Sequence, residues 1–526
     1  MNKVEILDTT LRDGSQMAGV NFTLEDKLAI TQKLDEIGVD FIEGGWPGSN
    51  PKDINYFKEV KKAQLTNSKI TAFGSTKRSP GNADKNLETI VQADVNYATL
   101  FGKTWKLHVR EVLKVTPEEN LSLIGESIDY LRSHGINVIY DAEHFFDGYR
   151  DDQEYALKTL EVASEAGAYA IVLADTNGGT LTHTLADVIK DVREKFASRI
   201  GIHAHNDSGV AVANSIMAVK LGAEHVQGTI NGLGERCGNA DLVQIIPALE
   251  LKMGYKALKS DGGLKALKEV SSYVYGILNM QENPYQPYVG RYAFTHKGGV
   301  HIDAMIKDSR TYEHISPEKV GNVRNYVVSE LSGRATLLKY SQELGIKLEK
   351  DHPAVIKSLS EIKELESYGI VENADATVKL IILKNLGLYA DKFNVLYWMA
   401  NARDINGKIE SEGEIIVRVG NEVHYERESG VGPVHALDNA LRKVIVKVFQ
   451  ILKTSELLNF KVSVTEGDSK GTASYVRVFI EFGDQKLRWA TTGVSKNILE
   501  ASVKALTDGY NYRLALEELN RLNKPE

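Results

Sequence analysis

Eight short apolar runs, each followed by a helical pattern, constrain this chain more than any other feature. The runs are VEIL (4–7), FIEGG (41–45), KITAFG (69–74), YATLFG (97–102), NVIYDAE (137–143), AIVLAD (170–175), GIHAHND (201–207) and HVQGTI (225–230). They are rich in Val, Ile and aromatic residues and do not alternate cleanly with polar ones. Strands buried on both faces have this composition. The segments between them carry helix signals. Thr23 with Asp26 predicts a capping box and Gly38 a stop. Thr116-Pro117-Glu118-Glu119 predicts an N-cap, a proline in the first turn and acids that suit the helix dipole, and Gly135 ends that helix. Eight such repeats in about 250 residues predict an α/β fold, a (β/α)8 TIM barrel. A doubly wound open sheet is disfavoured, because no glycine-rich fingerprint follows the first run.

The chain has 526 residues, too many for one core. We expect a catalytic barrel over 1–255, helical linker subdomains over 256–370, and a duplicated C-terminal α+β domain over 371–526. In the linker, Val355, Leu359, Ile362 and Leu365 share one helical face. The preceding NPYQPYVGRYAFTHKGGVHIDA reads as an ordered loop. In the last region, two strand–turn–strand segments turn at Gly420-Asn421 and Gly483-Asp484. Each reaches a Gly-Val pair, Gly430-Val431 or Gly493-Val494, and runs into an amphipathic helix. Two such units suit a small effector or a subunit contact, or simply pack as a module without a ligand.

A net charge of -8 leaves no broad basic surface, which argues against a nucleic-acid partner. Cys237 is the only cysteine, so an intrachain disulfide framework is excluded and a reducing, cytoplasmic setting is expected. The N-terminus shows no apolar signal core, and no segment is long and apolar enough to cross a membrane.

Polar residues collect where the predicted strands end, the catalytic rim of such a barrel. Arg12 and Asp13 follow strand 1, Glu43 lies near the end of strand 2, Glu143 ends strand 5 and Thr176 follows strand 6. His203 and His205, two apart in strand 7, point to one face. With the Asp13 carboxylate they make a mixed O/N set for a divalent metal (Mn2+, Mg2+ or Zn2+), and Asn239 could add an amide oxygen. A 2-oxo acid suits such a metal. Arg12 could steady a developing alkoxide, or simply pair with a rim acid. Thr176 could bind a substrate carboxylate or cap a helix. Glu143 is the acid/base candidate, Glu43 a partner that orients Arg12 or a metal ligand, and a structural ion pair is the alternative for both. Cys237 reads as a small residue in a tight loop rather than a nucleophile.

The motifs LDTTLRDGSQ, GIHAHND, NGLGERCGN and FTHKGGVH together resemble those of the 2-isopropylmalate, homocitrate and citramalate synthase family, over nearly the whole chain. The resemblance implies an acyltransferase that joins acetyl-CoA to a 2-oxo acid. It implies metal binding by Asp13, His203 and His205 with Asn239 nearby. Arg12, Gln16 and Thr176 would bind substrate, Arg12 polarising the keto oxygen, and Glu143 would help deprotonate the acetyl methyl group. His301 and Tyr312 would complete the site from the partner subunit of a homodimer; His296 looks like His301 by sequence alone. YDAEHFFDGYRDD and EGGWPGSNPKD resemble the citramalate branch, which implies pyruvate as substrate and isoleucine as effector. Ser15 and Asp141-Ala142 depart from the isopropylmalate pattern. The competing readings are the same chemistry on 2-oxoisovalerate, an acyl-CoA lyase, and a sensor with an inactive barrel. Lyases of that kind usually stop after the barrel, and the intact Arg12, Asp13, His203 and His205 set argues against the sensor.

Overall fold

The computed structural model describes residues 2–79, 84–296, 298–326, 333–367, 374–464, 474–484 and 487–522. Eight parallel strands close a barrel: β1 (Glu5–Asp8), β2 (Phe41–Gly45), β3 (Lys69–Ser75), β4 (Tyr97–Lys103), β5 (Asn137–Glu143), β6 (Ala170–Asp175), β7 (Ile200–Ala204) and β8 (His225–Gly228). β8 closes onto β1, with Glu5 opposite His225 and Asp8 opposite Gly228. A helix follows each strand, from Leu24–Ile37 after β1 to Leu242–Lys252 after β8. Every residue of β2, β6 and β7 is buried, which is why these runs show no alternation. Leu7, Phe41, Ile139, Ala170 and Val172 form a small apolar cluster of their own, separate from the main core.

The predicted caps form. Thr23 and Asp26 bond reciprocally, as do Thr116 and Glu119, each cap worth about 1 kcal/mol. Gly38 ends its helix at φ 86°, and a Cβ there would lie 2.4 Å from the Ser260 nitrogen. Two strand ends differ from expectation. β7 stops at Ala204, and β8 stops at Gly228 before a short turn at Ile230–Gly232. The cause is tertiary: the loop after β8 folds back, the Ala240 N–H donates to the Ala204 carbonyl at 2.9 Å, and His205 bridges Asn239.

Two compact units result, one of residues 1–294 and 315–324, the other of 295–314 and 325–526. In the first, the helix Gly263–Ile277 packs on the barrel helix Leu24–Ile37. In the second, β9 (Thr295–His296) pairs with β10 (Asn325–Tyr326). The stretch expected to be loop carries a helix, Gly299–Lys307, because VHIDAMIK after the glycines holds no breaker. In the helix Pro353–Ser367, Val355 and Ile362 are buried and Leu359 and Leu365 pack against the same cluster. The expected boundary at 370 falls outside the described residues.

The C-terminal repeat has three strands per unit rather than two. β11 (Phe393–Ile405), β12 (Lys408–Val419) and β13 (Glu422–Gly430) precede the helix Pro433–Val448. β14 (Glu456–Val464), β15 (Val476–Gly483) and β16 (Arg488–Ser495) precede the helix Ile498–Leu522. Both antiparallel sheets share one core with their helices, including Val417, Leu441, Ile480 and Ala505. The Gly-Val pairs mark where each helix crosses its sheet. A Cβ on Gly430 would meet the Ala436 nitrogen at 2.4 Å, and one on Gly493 the Ala501 carbonyl oxygen at 2.1 Å.

Candidate active site and metal centre

β1 delivers Arg12 and Asp13 through a tight turn, in which the N–H groups of Arg12, Asp13 and Gly14 all donate to the Thr9 carbonyl. β7 delivers His203, and His205 stands one residue past the strand, still on the same side. Asp13 Oδ2 lies 3.2 Å from His203 Nε2 and 3.9 Å from His205 Nε2, and the two Nε2 atoms are 3.3 Å apart. Among the described residues these three form a cluster that could hold a metal ion. Asn239 Nδ2 donates to Asp13 Oδ2 at 2.7 Å, while its Oδ1 is buried without a partner. Burial alone would raise the Asp13 carboxyl, but Arg12, then His203 and His205, hold it well below the usual carboxylate range. Burial opposes charge on His203, yet Asp13 raises it above an ordinary imidazole. Burial, then the His203 charge, pushes His205 down to about 3, so its ring is neutral at pH 7. Two imidazole edges converging on a carboxylate, beside an orphaned amide oxygen, fit a divalent cation and leave positions open for substrate.

Arg12 makes the ion pairs that its sequence context allowed: Nε to Glu43 Oε2 at 2.6 Å and Nη1 to Asp13 Oδ1 at 3.3 Å. Its guanidinium also lies 3.7 Å over the Phe73 ring. Glu43 is fully buried, and this ion pair is what balances its charge there. Register shifts at the end of β2, after Glu43, where a Cβ on Gly44 would lie 2.1 Å from the Tyr56 ring. Glu143 pairs with Lys103. Thr176 Oγ1 accepts from the His144 N–H at 2.8 Å. It is not the N-cap of the next helix, Thr182–Lys195, where Leu181 holds that position.

These groups line one cavity of ≈ 280 Å³, with Arg12, Asp13, Gln16, Glu143, Thr176, His203 and His205 on its walls. Gln16 lies exposed in the short turn Gly14–Gln16. Sequence reasoning assigned no role to the aromatic part of the lining. Phe73 stacks on Phe101 at 5.2 Å, and Trp46 stands edge-on to both at 5.5 and 5.7 Å. Asp141, noted only as a departure, lines the cavity too, and burial raises it to about 7. Arg236, beside the rejected Cys237, grips Asp207 with two bonds and donates to the Thr176 carbonyl at 2.8 Å. Its positive φ of 57° has no sequence signature beyond the neighbouring glycines. His301 and Tyr312 belong to the second unit, where their rings stack at 4.1 Å. His296 pairs with Glu313 at 3.4 Å. Among the described residues no helix is long and apolar enough to cross a membrane.

A barrel rim with this Asp-His-His set defines the class, and comparison with known proteins agrees. Residues 3–274 match the HMGL-like family, 288–369 the homocitrate synthase post-HMGL domain-like family, and 372–514 the LeuA allosteric (dimerisation) domain. The chain is 51% identical over 522 residues to an (R)-citramalate synthase of Sulfolobus acidocaldarius, covering 98% of each chain. It is 48% identical to that of Geobacter sulfurreducens, covering 98% of this chain and 99% of the relative. A 2-isopropylmalate synthase of Methanocaldococcus jannaschii is 31% identical, over 98% of this chain and 96% of its own. The chain belongs to the HMGL-like family, in its 2-isopropylmalate, homocitrate and citramalate synthase branch.

Proposed function

We propose that this chain is an (R)-citramalate synthase, an acyltransferase that condenses acetyl-CoA with pyruvate and then hydrolyses the thioester. The observation that carries the reading is the make-up of one small cavity. Cation-directed groups, Arg12 and the aromatic rings of Trp46, Phe73 and Phe101 line it together, with Arg12 lying flat on Phe73. A 2-oxo acid fits this setting, because its carboxylate and keto oxygens can reach the cation-directed groups and Arg12 together, and pyruvate is the substrate we assign. The identity of 51% to an (R)-citramalate synthase, against 31% to a 2-isopropylmalate synthase, supports the same choice.

Asp13, His203 and His205 would hold a divalent cation (Mg2+, Mn2+ or Zn2+), with Asn239 beside them; when bound it supplies Lewis-acid polarisation of the keto group. Arg12, fixed by Glu43, presents positive charge where the keto oxygen becomes an alkoxide. Thr176 accepts from His144, so its hydroxyl proton is free to donate to the substrate carboxylate, and Gln16 holds substrate at the mouth. Glu143 takes a proton from the acetyl methyl group. The freed carbon pair attacks the keto carbon, a carbon–carbon bond forms, and the carbonyl pair moves to the oxygen and is protonated. Water then adds to the thioester, the carbon–sulfur bond breaks, and coenzyme A leaves with (R)-citramalate.

His301 and Tyr312 complete the site of the partner in a homodimer. Mixing Arg12→Ala chains with His301→Ala chains tests this: turnover recovers if the residues act across subunits and stays absent if they do not. The C-terminal repeat binds isoleucine, which places the enzyme in isoleucine biosynthesis, in the cytoplasm. The function is tested by thiol release from acetyl-CoA with Mn2+, offering pyruvate and 2-oxoisovalerate in parallel. Release with pyruvate alone, suppressed by added isoleucine, is expected. Preference for 2-oxoisovalerate would contradict the substrate, and indifference to isoleucine would contradict the effector.

A further inference from the structure

Asp141 and Gln227, which the reaction described above does not use, form a buried hydrogen-bonded chain that ends on His203. Gln227 lies in β8, opposite His203 of β7, with no exposure to solvent. Its Nε2 donates to Asp141 Oδ1 at 2.8 Å, and its Oε1 stands 2.8 Å from His203 Nδ1. With Asp141 as a carboxylate both of its oxygens accept, so the Gln227 amide nitrogen faces it and the amide oxygen faces the histidine. Turned over, the amide would set oxygen against oxygen. An amide oxygen only accepts, so His203 Nδ1 carries the proton.

We infer that Gln227, anchored by Asp141, is a positioning residue that fixes His203 in the tautomer whose Nε2 offers a lone pair to a cation. The inference rests on the cation reading of Asp13, His203 and His205. His203 Nε2 is the ring atom that faces Asp13 and His205, so the relay decides whether that atom is a ligand or a hydrogen-bond donor. His205 has no such anchor: its Nδ1 is buried without a hydrogen-bond partner. The pair is therefore set by one relay acting on one ring. Asp141 does this at a distance, through the amide, and needs no contact with substrate.

The test is calorimetric titration of Mn2+ into the full chain, for the wild type, Gln227→Leu, and the exchanged pair Asp141→Asn with Gln227→Glu. Gln227→Leu is expected to weaken binding by roughly 10- to 100-fold. The exchanged pair should restore it, because the new amide donates to the new carboxylate, which still accepts from Nδ1–H. A purely structural role would not be rescued by exchange. Wild-type affinity in Gln227→Leu would overturn the inference, and an absence of Mn2+ binding in the wild type would overturn the cation reading with it. If Gln227→Leu does not fold, nitrogen-15 spectra of the histidines in the Mg2+-loaded wild type decide. A proton on Nδ1 of His203 is expected, and a proton on Nε2 would refute the proposal.

Discussion

Replacing His203 by alanine is expected to cut coenzyme A release by about three orders of magnitude, the scale of several kcal/mol of lost charge stabilisation. The ring contributes one of three converging ligand atoms, and Asp13 and His205 alone leave a site with too few donors to fix a cation. The barrel should survive, because His203 sits in a strand where Ile200, Ile202 and Ala204 are packed apolar core. Thermal melting separates loss of metal from loss of fold. A cation at a hundred times its Kd adds about 2.7 kcal/mol to the folded state. Mn2+ should therefore raise the melting temperature of the wild type and leave that of His203→Ala unchanged. Normal turnover in a well-folded His203→Ala protein would remove the metal assignment.

Arg12 carries the second large effect. Arg12→Lys keeps the charge but cannot both donate from a fixed Nε to Glu43 and lie flat on Phe73. Its kcat should fall on the order of 10²- to 10³-fold, as when one preorganised donor to a developing oxyanion is lost. Arg12→Ala should lose activity and also stability, by about 3 kcal/mol, because Glu43 then stays buried without its partner. Kinetics with urea unfolding distinguish the two variants. A lysine variant with wild-type kcat would show that Arg12 supplies only charge balance.

The barrel was legible because a strand buried on both faces is apolar without alternation, and because caps such as Thr23 with Asp26 are local chemistry. The same burial hid half of the site. In a run such as KITAFG nothing local says which side chains face the barrel axis, so Phe73 and Phe101 carried no signal, and Trp46 entered only within the EGGWPGSNPKD resemblance, without a role. Gln227 and Asp141 were hidden for the same reason, since their bond joins strands 86 residues apart. Asp13, His203 and His205 were visible because histidine and aspartate at strand ends are chemically conspicuous. β11 carried a local signal that was overlooked, since Asn406-Gly407, both at positive φ, form the two-residue turn that joins it to β12, while the link from β14 to β15 lies outside the described residues. The role of Gly430 and Gly493 appeared only once the helices were seen to cross the sheets there.

The central claim is that this barrel forms a carbon–carbon bond from the methyl carbon of acetyl-CoA. The most direct test supplies acetyl-CoA labelled with carbon-13 at the methyl, together with pyruvate and Mn2+, and follows the label by NMR. The account predicts that the label moves into the methylene carbon of a tertiary hydroxy diacid, (R)-citramalate, one molecule for each coenzyme A released. Label remaining in the methyl group of free acetate, or coenzyme A released without pyruvate, would show a thioesterase and contradict it.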